Sequence, residues 1–193
     1  MTIVLASASP RRAELLQQIG LEFVVSPSDI DESVHKSERV DAYVQRMAET
    51  KARVAKQGWQ ADDIIIAADT AVSIDNQILG KPQNEAHCLE MLASLSGRVH
   101  TVHTAVVVSQ LDFFGNATSC SEVSFCEITE QEAKNYWLTG EPKDKAGSYA
   151  IQGLGGAFVN HLVGSYSGVV GLPIFELIQL LKQIDVSVFK GRQ

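Results

Sequence analysis

Two serines, a proline and two arginines stand together near the start of the chain, as Ser7-Ala8-Ser9-Pro10-Arg11-Arg12, in the order expected of a helix start. Ser9 suits the N-cap, and Pro10 suits the first helical position, where its missing N–H would have no intrahelical partner. Arg11 and Arg12 then fall in the first turn, where the positive end of the helix dipole disfavours an exposed cation by about 0.3–1 kcal/mol. An anion would offset that cost. Free backbone N–H groups, the Ser7 and Ser9 hydroxyls and two guanidiniums make a site for a phosphate chain. A single arginine there would read as solvent-facing or paired with Glu14, whereas the adjacent pair after Ser-x-Ser-Pro reads as an anion site.

Two lysines and two carboxylates can complete the chemistry. Lys51 lies on the apolar stripe Val40, Val44, Met47, Val54 of a helix expected over 38–57. A lysine in that place either snorkels to solvent or meets an anion. Lys81 sits in Gly80-Lys81-Pro82, presented by a stiff turn or simply at the surface. Asp69 ends the run Ile64-Ile65-Ile66-Ala67-Ala68, which reads as a buried central strand with the acid at or near its C-terminal end, where α/β sheets bind ligands. The segment Asp29-Ile30-Asp31-Glu32 reads as a solvated acidic loop, with Glu32 a candidate oxygen ligand for a divalent cation. Together, Arg11, Arg12, Lys51 and Lys81 are cations enough for a triphosphate, and Glu32 and Asp69 are carboxylates able to hold Mg²⁺ and activate water. Farther on, Ser148 and Gln152 in a glycine-rich stretch offer donors and acceptors suited to the edge of a base.

These residues need a frame. The chain has 193 residues, 45% of them hydrophobic and 20% charged, with no repeat or low-complexity run, which fits one globular domain over 1–193, or two small lobes around a cleft. A net charge of −7 argues against a nucleic-acid partner, since such proteins carry a basic face. Cys88, Cys120 and Cys126 are odd in number and lack metal-site spacing, which fits a reducing cytoplasm. Ile3 to Ala6 is too short an apolar run for a signal peptide or a membrane span. The pattern alternates strands and helices: a first helix ending near Gly20, a short strand at Phe23-Val24-Val25, a hairpin turning at Asp75-Asn76, and a helix capped by Asn84. Next come a strand over 99–108, a turn at Phe113-Phe114-Gly115-Asn116, a strand over 117–128, a capping box at Thr129-Glu130-Gln131-Glu132, and a last helix after Leu172-Pro173. His100 and His103, three apart in a strand, point to opposite faces and cannot readily share a metal. Residues 186–193 read as a tail.

Five segments in this order, Leu-Ala-Ser-Ala-Ser-Pro-Arg-Arg from Leu5, Ala-Ala-Asp-Thr from Ala67, Gly-Lys-Pro from Gly80, Asp-Lys-Ala-Gly-Ser-Tyr-Ala-Ile-Gln-Gly from Asp144 and Val-Gly-Leu-Pro from Val170, closely resemble the Maf family of nucleoside triphosphate pyrophosphatases. The resemblance runs from Ile3 to about Ile184. Ser-Pro-Arg-Arg, Asp-Thr and Ile-Gln-Gly are similar to the dTTP/UTP branch and not to the branch associated with 7-methyl-GTP. The resemblance implies that Ser7, Arg11, Arg12, Glu32, Lys51, Asp69, Lys81 and Gln152 are active-site positions, with Asp69 the proton acceptor. It ties Arg12, Thr70 and Gln152 to substrate choice. It further implies an elongated α/β fold, a mixed sheet flanked by helices around a central substrate cleft, together with a divalent cation (Mg²⁺ or Mn²⁺) and a homodimer. Such an enzyme would remove normal or modified pyrimidine nucleotides before polymerases use them. A rival expectation is a nucleotide-binding regulator that inhibits septum formation without turnover. The sequence departs from the family at Ala67, where glycine is usual.

Overall fold

A computed structural model describes residues 1–188. Its elements in chain order are β1 (Ile3–Leu5), α1 (Pro10–Gln18), β2 (Val24–Val25), α2 (Val40–Lys56), β3 (Ile64–Ile74), β4 (Gln77–Leu79), α3 (Glu85–Leu95), β5 (Val99–Gln110), β6 (Phe113–Phe125), α4 (Glu130–Leu138), β7 (Val159–Val163), α5 (Tyr166–Val170) and α6 (Ile174–Lys182). Short 3₁₀ turns at 141–144, 146–148 and 154–158 occupy the glycine-rich stretch. The strands form one mixed seven-stranded sheet in the order β2-β1-β3-β5-β6-β7, with β4 also on β3.

β3 is the axis of the molecule. Along one edge it pairs antiparallel with β5 from Ile65 to Ser73. Along the other edge it pairs first with β1, in parallel, as far as Ile66, and then with β4, antiparallel, from Val72. Between these partners the edge of β3 has no strand beside it, and that gap opens a cleft. Asp69 therefore does not end its strand, because β3 runs on to Ile74. What stops is the neighbouring β1, and this has the same effect of leaving the acid beside open space.

Helices cover both faces at the β1 end, which is why Ile64 to Ala68 is apolar without alternation. Leu15 and Leu16 of α1 and Leu177 and Leu181 of α6 pack with Ile64, Ile66 and Ala68 on one face. Val44, Ala48 and Ala52 of α2 pack with Ile65, Ala67 and Ala71 on the other. Ala67 is fully buried in that second layer. The buried side of α2 runs through Met47, Ala48, Lys51, Ala52 and Ala55, while Val54 points outward at 38% exposure. Alanines, and not the expected valine, let α2 lie close on the sheet.

Local signals set most element ends. α1 closes on Gly20 at φ +76, with the Gly20 and Leu21 N–H groups donating to the carbonyls of Gln17 and Leu16, as in a Schellman motif. Pro10 opens α1, but Ser9 holds the N-cap position without a side-chain capping bond. Asn84 caps α3 through the N–H of His87, and Thr129 with Glu132 forms the capping box of α4. The turn expected at Phe113–Asn116 lies instead at Leu111-Asp112, and Gly115 and Asn116 are ladder residues opposite Val108 and Val107. β7 and α5 lie inside the glycine-rich stretch, which carried no pattern for them. At the C-terminus, Val186 and Val188 pack against the α1/α6 core. Of the tail expected over 186–193, residues 189–193 lie outside the described residues.

Candidate active site

The gap beside β3 is the floor of a cleft of roughly 560 Å³. Ser7, Arg11, Arg12, Glu32, Lys51, Asp69, Thr70, Lys81 and Gln152 all line it. They arrive from separate elements: the β1–α1 turn, the 26–39 loop, α2, β3, the turn after β4, and the glycine-rich stretch.

Strand alternation divides the chemistry between two sides. Residues 69 and 70 of β3 point to opposite faces of the sheet. Asp69 shares a face with Ile65 and Ala67, the face that α2 covers, and there it meets Lys51. The Lys51 ammonium donates to Asp69 Oδ1 at 2.6 Å and lies 2.6 Å from Glu32 Oε1. The Lys51 and Asp69 side chains are each only 10% exposed, whereas Glu32 is 47% exposed. Lys51 therefore meets anions and does not snorkel to solvent. Burial works to raise the pKa of Glu32, but the hydrogen bond and charge of Lys51, helped by Lys81 and Arg12, outweigh it and hold the carboxyl below its ordinary value. No other protein group bonds the second carboxylate oxygen of Asp69 among the described residues, which leaves it open to the cleft.

Thr70 points to the opposite face, where Arg12 lies. The guanidinium donates from Nε to the Gly171 carbonyl (2.8 Å), from Nη1 to Ser7 Oγ (3.0 Å) and from Nη2 to Thr70 Oγ1 (3.2 Å). Burial lowers the Arg12 pKa from its ordinary value, with Arg11 adding repulsion and Asp69 and Glu32 opposing. Arg12 thus uses three of its five N–H groups to tie the β1–α1 turn to β3 and to the end of α5, so less of it faces an anion than the sequence implies. Gly171 can offer its carbonyl there because it adopts φ +132, which side chains rarely tolerate. Ser7 Oγ accepts from both Arg12 and the Ser9 N–H (3.2 Å). Its own proton is then the group left for a ligand oxygen.

At the rim, Arg11 lies 3.6 Å from Asp144, and Lys145 pairs with the same carboxylate. Lys81 and Gln152 are exposed and make no hydrogen bond to protein among the described residues. Lys145, Asp144 and Tyr43 also line the cleft, and sequence reasoning did not select them. Lys145 stood in the motif that opens the glycine-rich wall, so that motif was the available signal. Ser148 is a correction. Its side chain is fully buried, and its hydroxyl lies 3.1 Å from the Met91 sulfur, away from the cleft. Gly147 and Ser148 at φ +66 and +61 turn the chain so that this side chain faces α3 and not a ligand.

Two carboxylates converging on one cation position are hard oxygen donors, the kind that Mg²⁺ and Mn²⁺ prefer. No group of three or more His, Cys, Asp or Glu able to hold a metal occurs among the described residues. The donor set therefore fits an ion that takes one or two protein carboxylates and completes its shell with substrate phosphates and water.

A family model described as Maf-like protein matches residues 2–184. A dTTP/UTP pyrophosphatase of Pseudoalteromonas atlantica is 48% identical over 191 residues, covering 96% of this chain and 98% of that protein. One of Methylobacillus flagellatus is 49% identical over 187 residues, covering 96% and 94%. Among solved structures, the Staphylococcus aureus Ham1 protein is similar with a TM-score of 0.48 and 14% identity, over 65% of this chain and 72% of that one.

Proposed function

The chain belongs to the Maf family, and from that premise we propose that it hydrolyses dTTP and UTP at the α–β phosphoanhydride, releasing the nucleoside monophosphate and pyrophosphate. The observation that carries this reading is the buried Lys51 held between Asp69 and Glu32 on the floor of a cleft large enough for a nucleotide.

In the proposed reaction a water oxygen bonds to the α-phosphorus while the bond from that phosphorus to the bridging oxygen breaks and pyrophosphate departs. Asp69 accepts the water proton through the carboxylate oxygen that Lys51 leaves free. Lys51 orients Asp69 through its hydrogen bond and adds positive charge near the phosphate. Arg11 and Lys81 at the rim, with the Ser7 hydroxyl, bind the phosphate oxygens, where positioning and charge supply most of the acceleration. Glu32 and Asp69 would hold a divalent cation, Mg²⁺ or Mn²⁺, whose chemistry is to neutralise phosphate charge. Arg12, Thr70 and Gln152, which line the same cleft, choose the base in this reading. The proposal extends to one domain over the whole chain, acting as a homodimer in the cytoplasm. No helix among the described residues is long and apolar enough to cross a membrane.

The test is a panel of UTP, dTTP and CTP with Mg²⁺ or Mn²⁺, resolving pyrophosphate from orthophosphate. Pyrophosphate from UTP and dTTP is the expected product. Orthophosphate alone would place the attack elsewhere and overturn the reading.

A further inference from the structure

At the rim of the cleft, two cations from distant parts of the chain converge on one carboxylate. Lys145 of the glycine-rich stretch pairs with Asp144, and Arg11 of α1 comes within 3.6 Å of the other Asp144 oxygen. All three residues line the cleft. The contact between Asp144 and Lys145 joins sequence neighbours and alone says little. Arg11 makes the cluster a tertiary one.

Exposure separates its members. The Lys145 and Arg11 side chains are 13% and 23% exposed, whereas that of Asp144 is 65% exposed. The cations are set into the wall, and the carboxylate covers them from the solvent side. Backbone bonds, and not this ion pair, fix the turn that carries Lys145. The Lys145 N–H donates to the Pro142 carbonyl (3.0 Å), and the Ser148 N–H donates to the Lys145 carbonyl (3.1 Å). The Gly147 N–H donates to the Gly80 carbonyl (3.1 Å), which joins this turn to the one presenting Lys81. Burial works to raise the Asp144 pKa, but the hydrogen bond and charge of Lys145, followed by Arg11, hold it below its ordinary value. An ion pair with so exposed an anion adds little to stability, so a phosphate group, with more charge and more acceptor oxygens, can take its place.

We propose that Lys145 is a further anion-binding residue of the cleft, acting with Arg11, and that Asp144 is an internal anion which a phosphate group of the ligand displaces from both. Asp144 thereby lowers the affinity of the rim for phosphate and eases the departure of a phosphate product. Because pyrophosphate is the product of the reaction proposed above, this deepens that reading, yet its binding reports on the three residues without any turnover.

Calorimetric titration with inorganic pyrophosphate and Mg²⁺ at one ionic strength compares the unaltered protein with four variants. Asp144→Asn should bind pyrophosphate roughly threefold to tenfold more tightly, and Lys145→Met about tenfold more weakly. Glu14→Gln removes an exposed negative charge on α1, and Lys143→Met removes a cation that lies over the Trp137 ring; neither residue lines the cleft. Both should stay within about twofold of the unaltered protein, since distant exposed charges are screened. If Asp144→Asn binds no more tightly than Glu14→Gln, Asp144 does not compete with the ligand and the proposal fails. It fails equally if Lys145→Met matches Lys143→Met, or if the unaltered protein does not bind pyrophosphate. Should Lys145→Met not fold, Asp144→Asn against Glu14→Gln decides. A protein that binds pyrophosphate in this pattern but releases none from UTP would lose the proposed function and keep this anion site.

Discussion

Lys51 has two carboxylate partners of unequal burial, and removing one or the other has different consequences. Asp69→Asn leaves the ammonium paired with the half-exposed Glu32, so the fold should lose little while pyrophosphate release falls by about 10²–10⁴ with the loss of a general base. Lys51→Met leaves the Asp69 carboxylate buried without its cation, a loss of about 3–5 kcal/mol in such pairs, so turnover and the denaturant midpoint should fall together. Full turnover in Asp69→Asn would remove that residue from the chemistry. Gln152 tests a different step. Its amide faces the cleft with no protein partner among the described residues, so Gln152→Ala should lower kcat/KM for UTP and dTTP more than for CTP, and equal losses would show that it does not read the base. Residue identity predicts this site well wherever charge sits in an apolar context: Lys51 on a buried stripe and Asp69 after a β-branched run were both visible in the chain. Orientation was not visible. Ser148 carries a usable hydroxyl, but consecutive left-handed residues aim it into α3, and one of the three bonds of Arg12 goes to a carbonyl 159 positions away.

At the scale of elements, the glycine-rich wall is held by one carboxylate. Glu141 accepts from the Tyr136 hydroxyl (2.7 Å) and from the N–H groups of Leu154 and Gly155 (3.0 Å each), and Tyr136 also receives the Ala150 N–H (3.1 Å). Burial works to raise the Glu141 pKa, but these bonds, with Lys145, bring it below its ordinary value. Gln152 rides on the bridged segment. Glu141→Ala should cost about 1.5–3 kcal/mol of stability and raise KM more than it lowers kcat, since the wall that meets the base loosens while the Asp69 floor is untouched. A fall in kcat at constant KM would contradict this. The same scale shows why some element ends could not be read from the sequence. Gly115 and Asn116 are turn-forming residues, but Gly115 serves packing: a Cβ there would sit 2.5 Å from the Phe113 ring and 2.9 Å from a Leu180 methyl. The actual hairpin places Leu111 at φ +50, a conformation that leucine rarely adopts and therefore does not announce. Capping boxes, Asn caps and glycine closures are local chemistry and were legible, whereas β7 is defined by its pairing with β6 across the sheet.

For the whole molecule, a buried histidine ties stability to pH. His100 on β5 is 2% exposed, with its ring edge-on to Phe125 and Tyr149, Nε2 2.8 Å from the Tyr149 hydroxyl, and no partner for Nδ1 among the described residues. Burial lowers its pKa from 6.5 to about 4, and no charged group contributes to the shift. The unfolded chain therefore binds a proton near pH 6.5 that the folded chain refuses until about pH 4. Because the unfolded state holds more protons in that window, stability is fully present above pH 6.5, falls as pH drops toward about 4, and loses nothing further to this group below that. The whole effect is on the order of 3 kcal/mol. His103, on the opposite face, is also pushed down by burial, with Arg39 adding to the shift and Asp41 opposing it, so it contributes to the same slope. His100→Gln keeps a polar partner for Tyr149 without a titrating ring, so the denaturant midpoint of this variant should fall less between pH 6.5 and 4.5 than that of the unaltered protein. An unchanged slope would assign the acid sensitivity to other groups. Tyr149 also lines the cleft, so protonating His100 places an unpaired charge in the aromatic cluster behind this part of the wall. Activity at mildly acid pH should therefore decline along with stability in the unaltered protein, and less steeply in His100→Gln.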